Sequence, residues 1–229
     1  MGNIAIIPAR SGSKGLKDKN IKILNGKPLL AYSISAALDS KMFEEVMVST
    51  DSEVYAEIAR EYGAKVPFLR TKELSGDSAG SWDVVKQVLT KYRDEGMLFD
   101  TICLLQPTSP LRTKEDIFDA YKFMNNINAD ALTSVCEVDH SPLWTMTLPE
   151  DFSLRKYNES CQGDAPRQFL DTYYRFNGAI YIRKIQYLED TVELLDEDEY
   201  AFIMEQKKSV DIDTELDFII AEKVMEYYK

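Results

Sequence analysis

The sequence predicts an α/β fold, with a mostly parallel, Rossmann-like sheet and helices on both faces. Apolar runs such as residues 3–9 and 101–106 are continuous rather than alternating, which is typical of strands buried on both faces. Amphipathic helical stretches such as residues 81–92 alternate with these runs. With 229 residues, of which 45% are hydrophobic, the chain has enough material for the core of one domain spanning residues 1–229.

The predicted elements follow one another in regular order as far as residue 138. Strands are predicted at residues 3–9, 45–50, 101–106 and 131–138. Helices are predicted at residues 29–38, 52–62, 81–92 and 114–124, the first of them started by Pro28. Residues 140–175 are polar, aromatic and irregular, so we interpret them as an insertion. A strand then follows at residues 177–182, the acidic run 196–199 is expected to be a solvated turn, and residues 209–228 predict a last strand and a C-terminal helix.

Charge and composition exclude several classes of protein. A net charge of -12 argues against a general nucleic-acid binder, whose phosphate contacts need a basic surface. No apolar run approaches the roughly 18 residues of a membrane-spanning helix, and residues 1–10 lack the pattern of a signal peptide. We therefore expect a cytoplasmic protein without a membrane partner. The cysteines are far apart and His140 is the only histidine, so a zinc site, a disulfide framework and a histidine-based triad are not expected.

The first loop, IPARSGSKGLKDKN at residues 7–20, gathers cations in an otherwise acidic chain. It follows the first strand and precedes a helix, which is where open α/β sheets bind ligands. Gly12 and Gly15 let the backbone approach a ligand closely, and Arg10 and Lys14 add positive charge. The pattern is neither a Walker A loop nor a dinucleotide-binding fingerprint. It predicts a polyphosphate ligand, with a solvated basic turn as the alternative.

A pair of aspartates in VDIDTELD, residues 210–217, suggests a metal site. Asp211 and Asp213 alternate along the predicted last strand, so both should point to one face of the sheet. Two carboxylates at a strand end suit a hard cation such as Mg²⁺, which binds oxygen ligands and substrate phosphates. The alternative is that one aspartate, or Thr214, merely caps the last helix.

Two further motifs carry neutral and cationic side chains. In LLQPTSPLRT, residues 104–113, Gln106 ends a buried strand and is followed by hydroxyl residues that suit a sugar; a rigid loop leading to a helix capped near Thr113 is the alternative. In PRQFLDTYYRFNGAIYI, Arg167 and Arg175 have the fork geometry that binds phosphate or carboxylate, and Tyr181 lies in the next strand. Surface salt bridges and a core tyrosine are the alternative.

Taken in order, the motifs IPARSGSKGLKDKN, QPTSPLR, RFNGAIYI and VDIDTELD resemble those of the acylneuraminate cytidylyltransferases, or CMP-sialic acid synthetases, together with the legionaminic and pseudaminic acid cytidylyltransferases. The resemblance runs from residue 4 to about residue 220, and it implies that the sheet is of the nucleotidyltransferase type. It implies that the anomeric hydroxyl of a nine-carbon acidic sugar attacks the α-phosphate of CTP and releases pyrophosphate. Catalysis would then depend mainly on positioning and charge neutralisation.

The resemblance also implies roles for individual residues. Nucleotide binding is expected from Arg10, Gly12, Ser13, Lys14, Lys19, Asn20, Arg70 and Ser81. Arg10, Lys14, Arg167 and Arg175 are the expected catalytic residues, Gln106, Ser109 and Tyr181 the sugar contacts, and Asp211 and Asp213 the ligands of Mg²⁺ or Mn²⁺. The insertion would be a dimerisation lid, and the partner in a homodimer would lend Arg167 and Arg175 to the site.

Some positions depart from the family pattern, and the sequence is compatible with more than one function. Ala79 replaces a small hydroxyl residue, and Leu170 and Asp171 stand where relatives often have proline, which leaves the acceptor sugar undetermined. A cytidylyltransferase for Kdo, a shorter keto-acid sugar, is the nearest competing function, although VDIDTELD argues against it. A glycosyltransferase with a DxD metal motif, which would consume a nucleotide sugar rather than make one, stays open. So does a catalytically silent nucleotide-binding module.

Overall fold

The chain folds around a mixed β-sheet. The structure, a computed structural model, describes residues 2–12, 15–71, 73–76, 80–155, 171–189 and 191–228. Within these residues seven strands form the main sheet and two short strands form a separate hairpin. In chain order the strands are β1 (Gly2–Pro8), β2 (Ile23–Leu24), β3 (Lys27–Pro28), β4 (Glu45–Ser49), β5 (Phe99–Leu104), β6 (Ala131–Glu137), β7 (Tyr174–Tyr187), β8 (Val192–Leu194) and β9 (Glu199–Ile203). The hairpin consists of β2 and β3.

The main sheet is mostly parallel, as predicted. Its strand order is β4-β1-β5-β7-β6-β9, with β8 paired to β7. β1 pairs in parallel with β4 and β5, and β6 pairs in parallel with β9. β7 runs antiparallel to each of its neighbours, β5, β6 and β8. The apolar residues of β1, such as Ile4 and Ile6, are fully buried, which explains the continuous apolar run of the sequence.

Helices cover both faces of the sheet. They are α1 (Leu29–Ser40), α2 (Glu53–Glu61), α3 (Ser81–Asp94), α4 (Lys114–Ile127) and α5 (Glu215–Tyr227). One core joins α1, α2 and α4 to one face through residues such as Ile34 and Tyr121. α3 packs on the opposite face, where Val88 and Leu89 contact the sheet residues of a second core. None of the helices in the described part of the chain is both long and apolar enough to cross a membrane.

α5 packs away from the centre of the sheet, against the hairpin and the start of α1. Phe218 and Ala221 of α5 form a small apolar cluster with Leu24 and Leu29. Ile212 belongs to the same cluster and is fully buried. The burial of Ile212 anchors the segment that precedes α5, and this segment carries Asp211 and Asp213.

The prediction of a last strand before α5 is wrong. Residues 209–213 have no strand structure, and Ile212 N donates a hydrogen bond to Thr108 O (2.9 Å) in the loop after β5. An alternating sequence forms a strand only where a neighbouring strand offers a ladder of partners, and here the neighbour is a loop. The prediction that Asp211 and Asp213 share one face of a strand fails with it.

The region after residue 138 also differs from the expected outline. β7 begins at Tyr174, so it is longer than the strand predicted at residues 177–182, and its first residues fall within the segment 140–175 interpreted as an insertion. Residues 197–198 form a turn within the acidic run, as expected, but Glu199 begins the unpredicted edge strand β9. The part of the insertion that the structure describes exposes large apolar side chains, including Leu148 at 59% and Phe152 at 75%.

Candidate active site

A cavity of about 690 Å³ opens at the carboxyl ends of β1 and β5, beside the first residue of α3. Its walls bring together eight residues to which the sequence assigns a role: Arg10, Lys19, Asn20, Arg70, Ser81, Gln106, Asp211 and Asp213. Carboxyl ends of parallel strands are the usual ligand site of such sheets, because the loops there converge on one edge. The chain thus concentrates cationic, amide and carboxylate side chains around a single cavity.

The other predicted site residues either fall outside the described residues or do not line the cavity. Ser13, Lys14 and Arg167 fall outside the described residues. Gly12 is described, in a left-handed conformation with φ of 73°, but it is not among the residues lining the cavity. Ser109 is fully buried and donates to Asn177 O (3.2 Å), so its hydroxyl does not reach the cavity.

Tyr181 and Arg175 are both close to the cavity without lining it. Tyr181 packs edge to face against Trp82, with ring centroids 6.2 Å apart, and burial raises the pKa of its phenol. Arg175 Nη2 donates to Ser209 O of its own chain (3.1 Å) and its charge acts on Asp211. The structure therefore places Arg175 beside the carboxylates and Tyr181 in the core behind them.

The first loop is held in place by side chains at both of its ends. The Ser11 N and Oγ donate to the two carboxylate oxygens of Asp51, each at 2.8 Å. Buried Asn20 donates through Nδ2 to Arg10 O (3.1 Å). Asp51 lies two residues after the end of β4 and was not recognised from the sequence, because a lone aspartate after a strand has no distinctive pattern. The two described ends of the loop are therefore anchored, and they place Arg10 and Lys19 in the wall of the cavity.

Arg70 forms the wall of the cavity nearest to β4. Its Nη2 donates to Ser49 O (2.7 Å) and its Nε to Ser49 Oγ (3.2 Å). Burial lowers the pKa of the guanidinium to about 10; Asp51 opposes this shift and Arg10 adds to it. Arg70 therefore stays cationic at neutral pH, next to a second cation, which favours an anionic ligand between them.

Asp211 and Asp213 line the same cavity and are joined to the first loop. Lys19 Nζ donates to Asp213 Oδ1 (2.8 Å) and to Ile212 O (2.9 Å), and so fixes this segment to the first loop. Gly15 permits this approach, because a Cβ at Gly15 would lie only 2.7 Å from Asp213 O. The alternative role for these aspartates was to cap the last helix. The N-cap of α5 is Thr214, which forms a reciprocal capping box with Asp217.

The donor set at these aspartates fits a divalent cation. Burial raises the pKa of the Asp211 carboxyl, as does the neighbouring Asp213. Asp211 Oδ1 is buried and has no hydrogen-bond partner among the described residues, so one carboxylate oxygen is left for a ligand. Within the described ranges no three His, Cys, Asp or Glu residues cluster as a complete metal site. The pair thus suits a metal that takes its other ligands from substrate phosphates and water, as Mg²⁺ does.

A buried arginine, whose role was not recognised from the sequence, supports the part of the cavity lining that contains Gln106. Arg112 is 3% exposed and donates to Ala179 O (2.6 Å), to Ser33 Oγ (2.5 Å) and, at 3.4 Å, to Gln106 O. Burial lowers the pKa of its guanidinium to about 10, so Arg112 remains charged at neutral pH. An arginine in a proline-flanked turn looks exposed in a sequence, and only the fold shows that it bridges three elements.

Comparison with known proteins places the chain among enzymes of one kind. A family model described as cytidylyltransferase matches residues 4–222. The chain is 35% identical over 232 residues to the CMP-N,N'-diacetyllegionaminic acid synthase of Legionella pneumophila, covering 97% of this chain and 96% of the relative. It is 39% identical over 218 residues to the N-acylneuraminate cytidylyltransferase of Escherichia coli, covering 95% of this chain and 51% of the relative, so it spans about half the length of that protein.

The fold comparison agrees with the sequence comparison. The structure of a CMP:2-keto-3-deoxy-manno-octonic acid synthetase complexed with CTP superposes with a TM-score of 0.71, covering 100% of both chains at 16% sequence identity. At that identity the likeness establishes the fold alone, while the family match over residues 4–222 and the relative at 35% identity establish the membership. The chain belongs to the cytidylyltransferase family of nucleotidyltransferases.

Proposed function

We propose that the protein transfers the cytidylyl group of CTP to a nine-carbon acidic sugar, such as sialic, legionaminic or pseudaminic acid, and releases pyrophosphate. The observation that carries this proposal is that one cavity is lined both by three cations, Arg10, Lys19 and Arg70, and by two carboxylates, Asp211 and Asp213. A triphosphate needs the first group and a phosphate-bridging metal the second. Gln106 adds a neutral hydrogen-bonding group for a sugar.

The reaction forms one bond and breaks one bond at the α-phosphorus. The sugar's anomeric oxygen attacks that phosphorus, the bond from it to the bridging β-oxygen breaks, and pyrophosphate departs with the electron pair. Arg10 and Arg70, which line the cavity, would neutralise the phosphate charge. We propose the same role for Lys14, four residues after Arg10 in the sequence. The hydroxyl proton leaves to solvent or to a carboxylate as the new bond forms.

Asp211 and Asp213 would hold Mg²⁺ or Mn²⁺. When bound, such a metal polarises phosphate oxygens and withdraws charge from the reacting phosphorus. The chain's own contribution is to hold the carboxylates still: Lys19 fixes Asp213, and the buried Ile212 between the two aspartates anchors the segment. Fixed ligands are what give a metal site its selectivity and reactivity.

The relatives favour a nine-carbon acceptor over Kdo. The two sequence relatives named above, at 35% and 39% identity, are named for legionaminic acid and N-acylneuraminate. The fold neighbour named for 2-keto-3-deoxy-manno-octonic acid is only 16% identical. Because acceptor choice depends on side chains rather than on fold, the sequence relatives are the better guide to the acceptor.

We also propose a homodimer in which residues 140–175 form the contact. Exposed apolar side chains support this proposal: Leu148, Phe152 and Tyr174 are 59%, 75% and 48% exposed in the single chain. Exposed apolar side chains gathered on one segment mark association surfaces. Within the dimer, Arg167 and Arg175 would serve the site of the partner. Light scattering coupled to gel filtration should give twice the chain mass of 26.2 kDa, and a single-chain mass would reject the dimer.

Pyrophosphate release tests the proposed function. The protein is incubated with CTP, Mg²⁺ and one acid in each reaction, the acids being sialic, legionaminic, pseudaminic and Kdo acid. We expect release with at least one nine-carbon acid and little with Kdo. Asp211→Asn should abolish most of it, whereas Glu215→Gln, which removes an exposed carboxylate at the start of α5, should not. CTP binding without release for every acid would favour a silent nucleotide-binding module instead.

A further inference from the structure

The pairing of β6 with β7 is interrupted by a bulge beneath the cavity. Thr133 pairs with Tyr181 and Val135 with Phe176, so the register advances two residues along β6 and five along β7. The surplus residues lie in the stretch 177–180, which we call the β7 bulge. Bulges redirect side chains and break the hydrogen-bond ladder locally, so the groups they release need other partners.

Buried side chains take the place of the missing ladder. Ser134 Oγ accepts from Ile180 N (2.8 Å) and donates to Asn177 Oδ1 (2.6 Å). The same Asn177 oxygen accepts from Ala179 N (3.2 Å). Asn177 is 1% exposed, so these bonds form where water does not compete with them. The bulge is therefore held in one conformation rather than being a loose loop.

The bulge is joined to both segments that carry the predicted sugar and metal residues. Its carbonyls at Asn177 and Ala179 accept from Ser109 Oγ (3.2 Å) and Arg112 Nη1 (2.6 Å), which belong to the loop after Gln106. Asn177 Nδ2 donates to Ser209 Oγ (2.9 Å), two residues before Asp211. One rigid element thus fixes the Gln106 loop and the Asp211 segment relative to each other.

Gly178 lies where these two segments meet. Its φ is 74°, and a Cβ added to it would lie 2.6 Å from Gln106 Oε1, 3.3 Å from Ser109 Oγ and 3.7 Å from Asp211 Oδ2. Any side chain at this position would push the Gln106 amide away from its present place. The absence of a side chain at Gly178 leaves room for the Gln106 amide oxygen next to the Asp211 carboxylate.

We infer that the β7 bulge is a positioning element that sets the Gln106 amide against the Asp211 carboxylate, and that Gly178 is the positioning residue on which this arrangement depends. The inference rests on the proposed function, in which Gln106 binds the acidic sugar and Asp211 the metal. The inference also gives Ser109 and Arg112 a role. They position the loop after Gln106 through their bonds to the β7 bulge, without touching the substrate.

A double-mutant cycle between Gly178→Ala and Gln106→Ser tests the inference. Gly178→Ala should lower kcat/KM for the acidic sugar by about tenfold or more, with the KM for CTP changed by less than about threefold, because misplacement of one group by about 1 Å can cost that much. In the Gln106→Ser background, Gly178→Ala should lower kcat/KM for the acidic sugar little further, because the amide oxygen that the new Cβ would crowd is absent. Additive losses, or no loss from Gly178→Ala alone, would overturn the inference.

Gly96→Ala is the matched control. Gly96 also has a positive φ, 80°, but no atom lies within 4 Å of the Cβ position. Both alanine variants carry the strain of a left-handed residue, so both should lower Tm, yet Gly96→Ala should keep wild-type kinetics in either background. If Gly178→Ala does not fold, Ser109→Ala replaces it: loss of the bond to Asn177 O should raise the KM for the sugar several-fold, and an unchanged KM would count against the inference.

The same variants separate failure of the inference from failure of the proposed function. If the wild-type protein releases no pyrophosphate with any acid, the proposed function fails. The thermal unfolding midpoints of the cycle then still decide the positioning claim: Gly178→Ala should lower Tm more in the presence of Gln106 than in the Gln106→Ser background. Equal shifts in both backgrounds would show that Gly178 does not position Gln106.

Discussion

Lys19 Nζ lies 2.8 Å from Asp213 Oδ1, although the two residues are 194 positions apart in the sequence. The Lys19 side chain is 15% exposed and that of Asp213 is 74% exposed, so solvent screens this ion pair from one side. Its contribution to stability is therefore small. Its consequence is geometric, because it joins the cationic first loop to the segment that carries both aspartates.

Replacing Lys19 should impair the site much more than the fold. Lys19→Met removes a cation from the cavity wall and releases Asp213, so we expect the KM for CTP to rise about tenfold and Tm to change little. Lys22→Met is the matched control, since Lys22 Nζ forms a similar pair with Glu215 Oε1 (2.6 Å) and does not line the cavity. Equal increases in the KM for CTP in the two variants would contradict this expectation. They would show that the ion pairs from residues 19–22 to residues 213–215, rather than a positive charge in the cavity, determine CTP binding.

The two ends of the chain meet at this site for reasons that the sequence shows only in part. The strand–helix alternation, the apolar runs and the turn chemistry predict most of the sheet and its covering helices. They do not predict that 209–213 has a loop for a neighbour, or that β9 forms an edge strand after Glu199. Both depend on which distant segment supplies hydrogen-bond partners, and local patterns carry no information about that.

Asp211→Asn should have opposite effects on activity and on metal-free stability. Activity should fall by about 100-fold or more, because the proposed metal loses a charged ligand. Burial raises the pKa of the Asp211 carboxyl, so its charged form is less favourable in the folded protein than in the unfolded chain. Without metal the variant should therefore be more stable than the wild type near neutral pH.

The sign of the pH dependence makes that prediction sharper. Between the ordinary aspartate pKa and the raised one, the folded protein binds more protons than the unfolded chain, so wild-type stability falls as pH rises through this window. The advantage of Asp211→Asn should accordingly be full at neutral pH and shrink as pH falls toward the ordinary aspartate pKa. Urea denaturation in EDTA at neutral and at mildly acidic pH measures it; an advantage that grows on acidification would contradict the burial argument.

Arg70→Lys should weaken nucleotide binding although the charge is kept. Arg70 spans both oxygens of Ser49 with Nη2 and Nε, a fork that lysine does not reproduce. We expect the Kd for CTP to rise about tenfold by calorimetry. Arg60→Lys is the control, because Arg60 bonds Glu53 and Val66 O on the surface, and its replacement should leave CTP binding unchanged.

Subunit mixing tests which copy supplies Arg175. Arg175→Ala and Asp211→Asn should each be nearly inactive alone. If arginines are lent between partners, a mixed dimer has one site with both an intact Asp211 and an intact partner arginine, so mixing should restore up to about a quarter of wild-type activity. If Arg175 instead acts on the carboxylates of its own chain, where it bonds Ser209 O, mixing should restore none, and the proposed exchange of Arg175 between partners would be wrong.

The charged residues that line the candidate site could be predicted from the sequence, whereas the residues that hold them in place could not. Arg10, Lys19, Asp211 and Asp213 stand out because charged groups cluster in two short motifs of the sequence. Asp51, Arg112 and Asn177 were missed as supporting residues, since each acts through backbone or side-chain partners on other elements. Supporting residues of this kind leave no local signature, because what identifies them is burial together with distant partners.

The most direct test of the proposed function is to follow the α-phosphate of CTP. Labelled at that position, CTP is incubated with Mg²⁺ and each acid in turn, and the products are separated. The proposed function predicts that the label moves into a CMP-sugar with a nine-carbon acid, in equal amount to the pyrophosphate released, and that Asp211→Asn prevents it. Label that stays in CTP with every nine-carbon acid, or that moves only to Kdo, would contradict it.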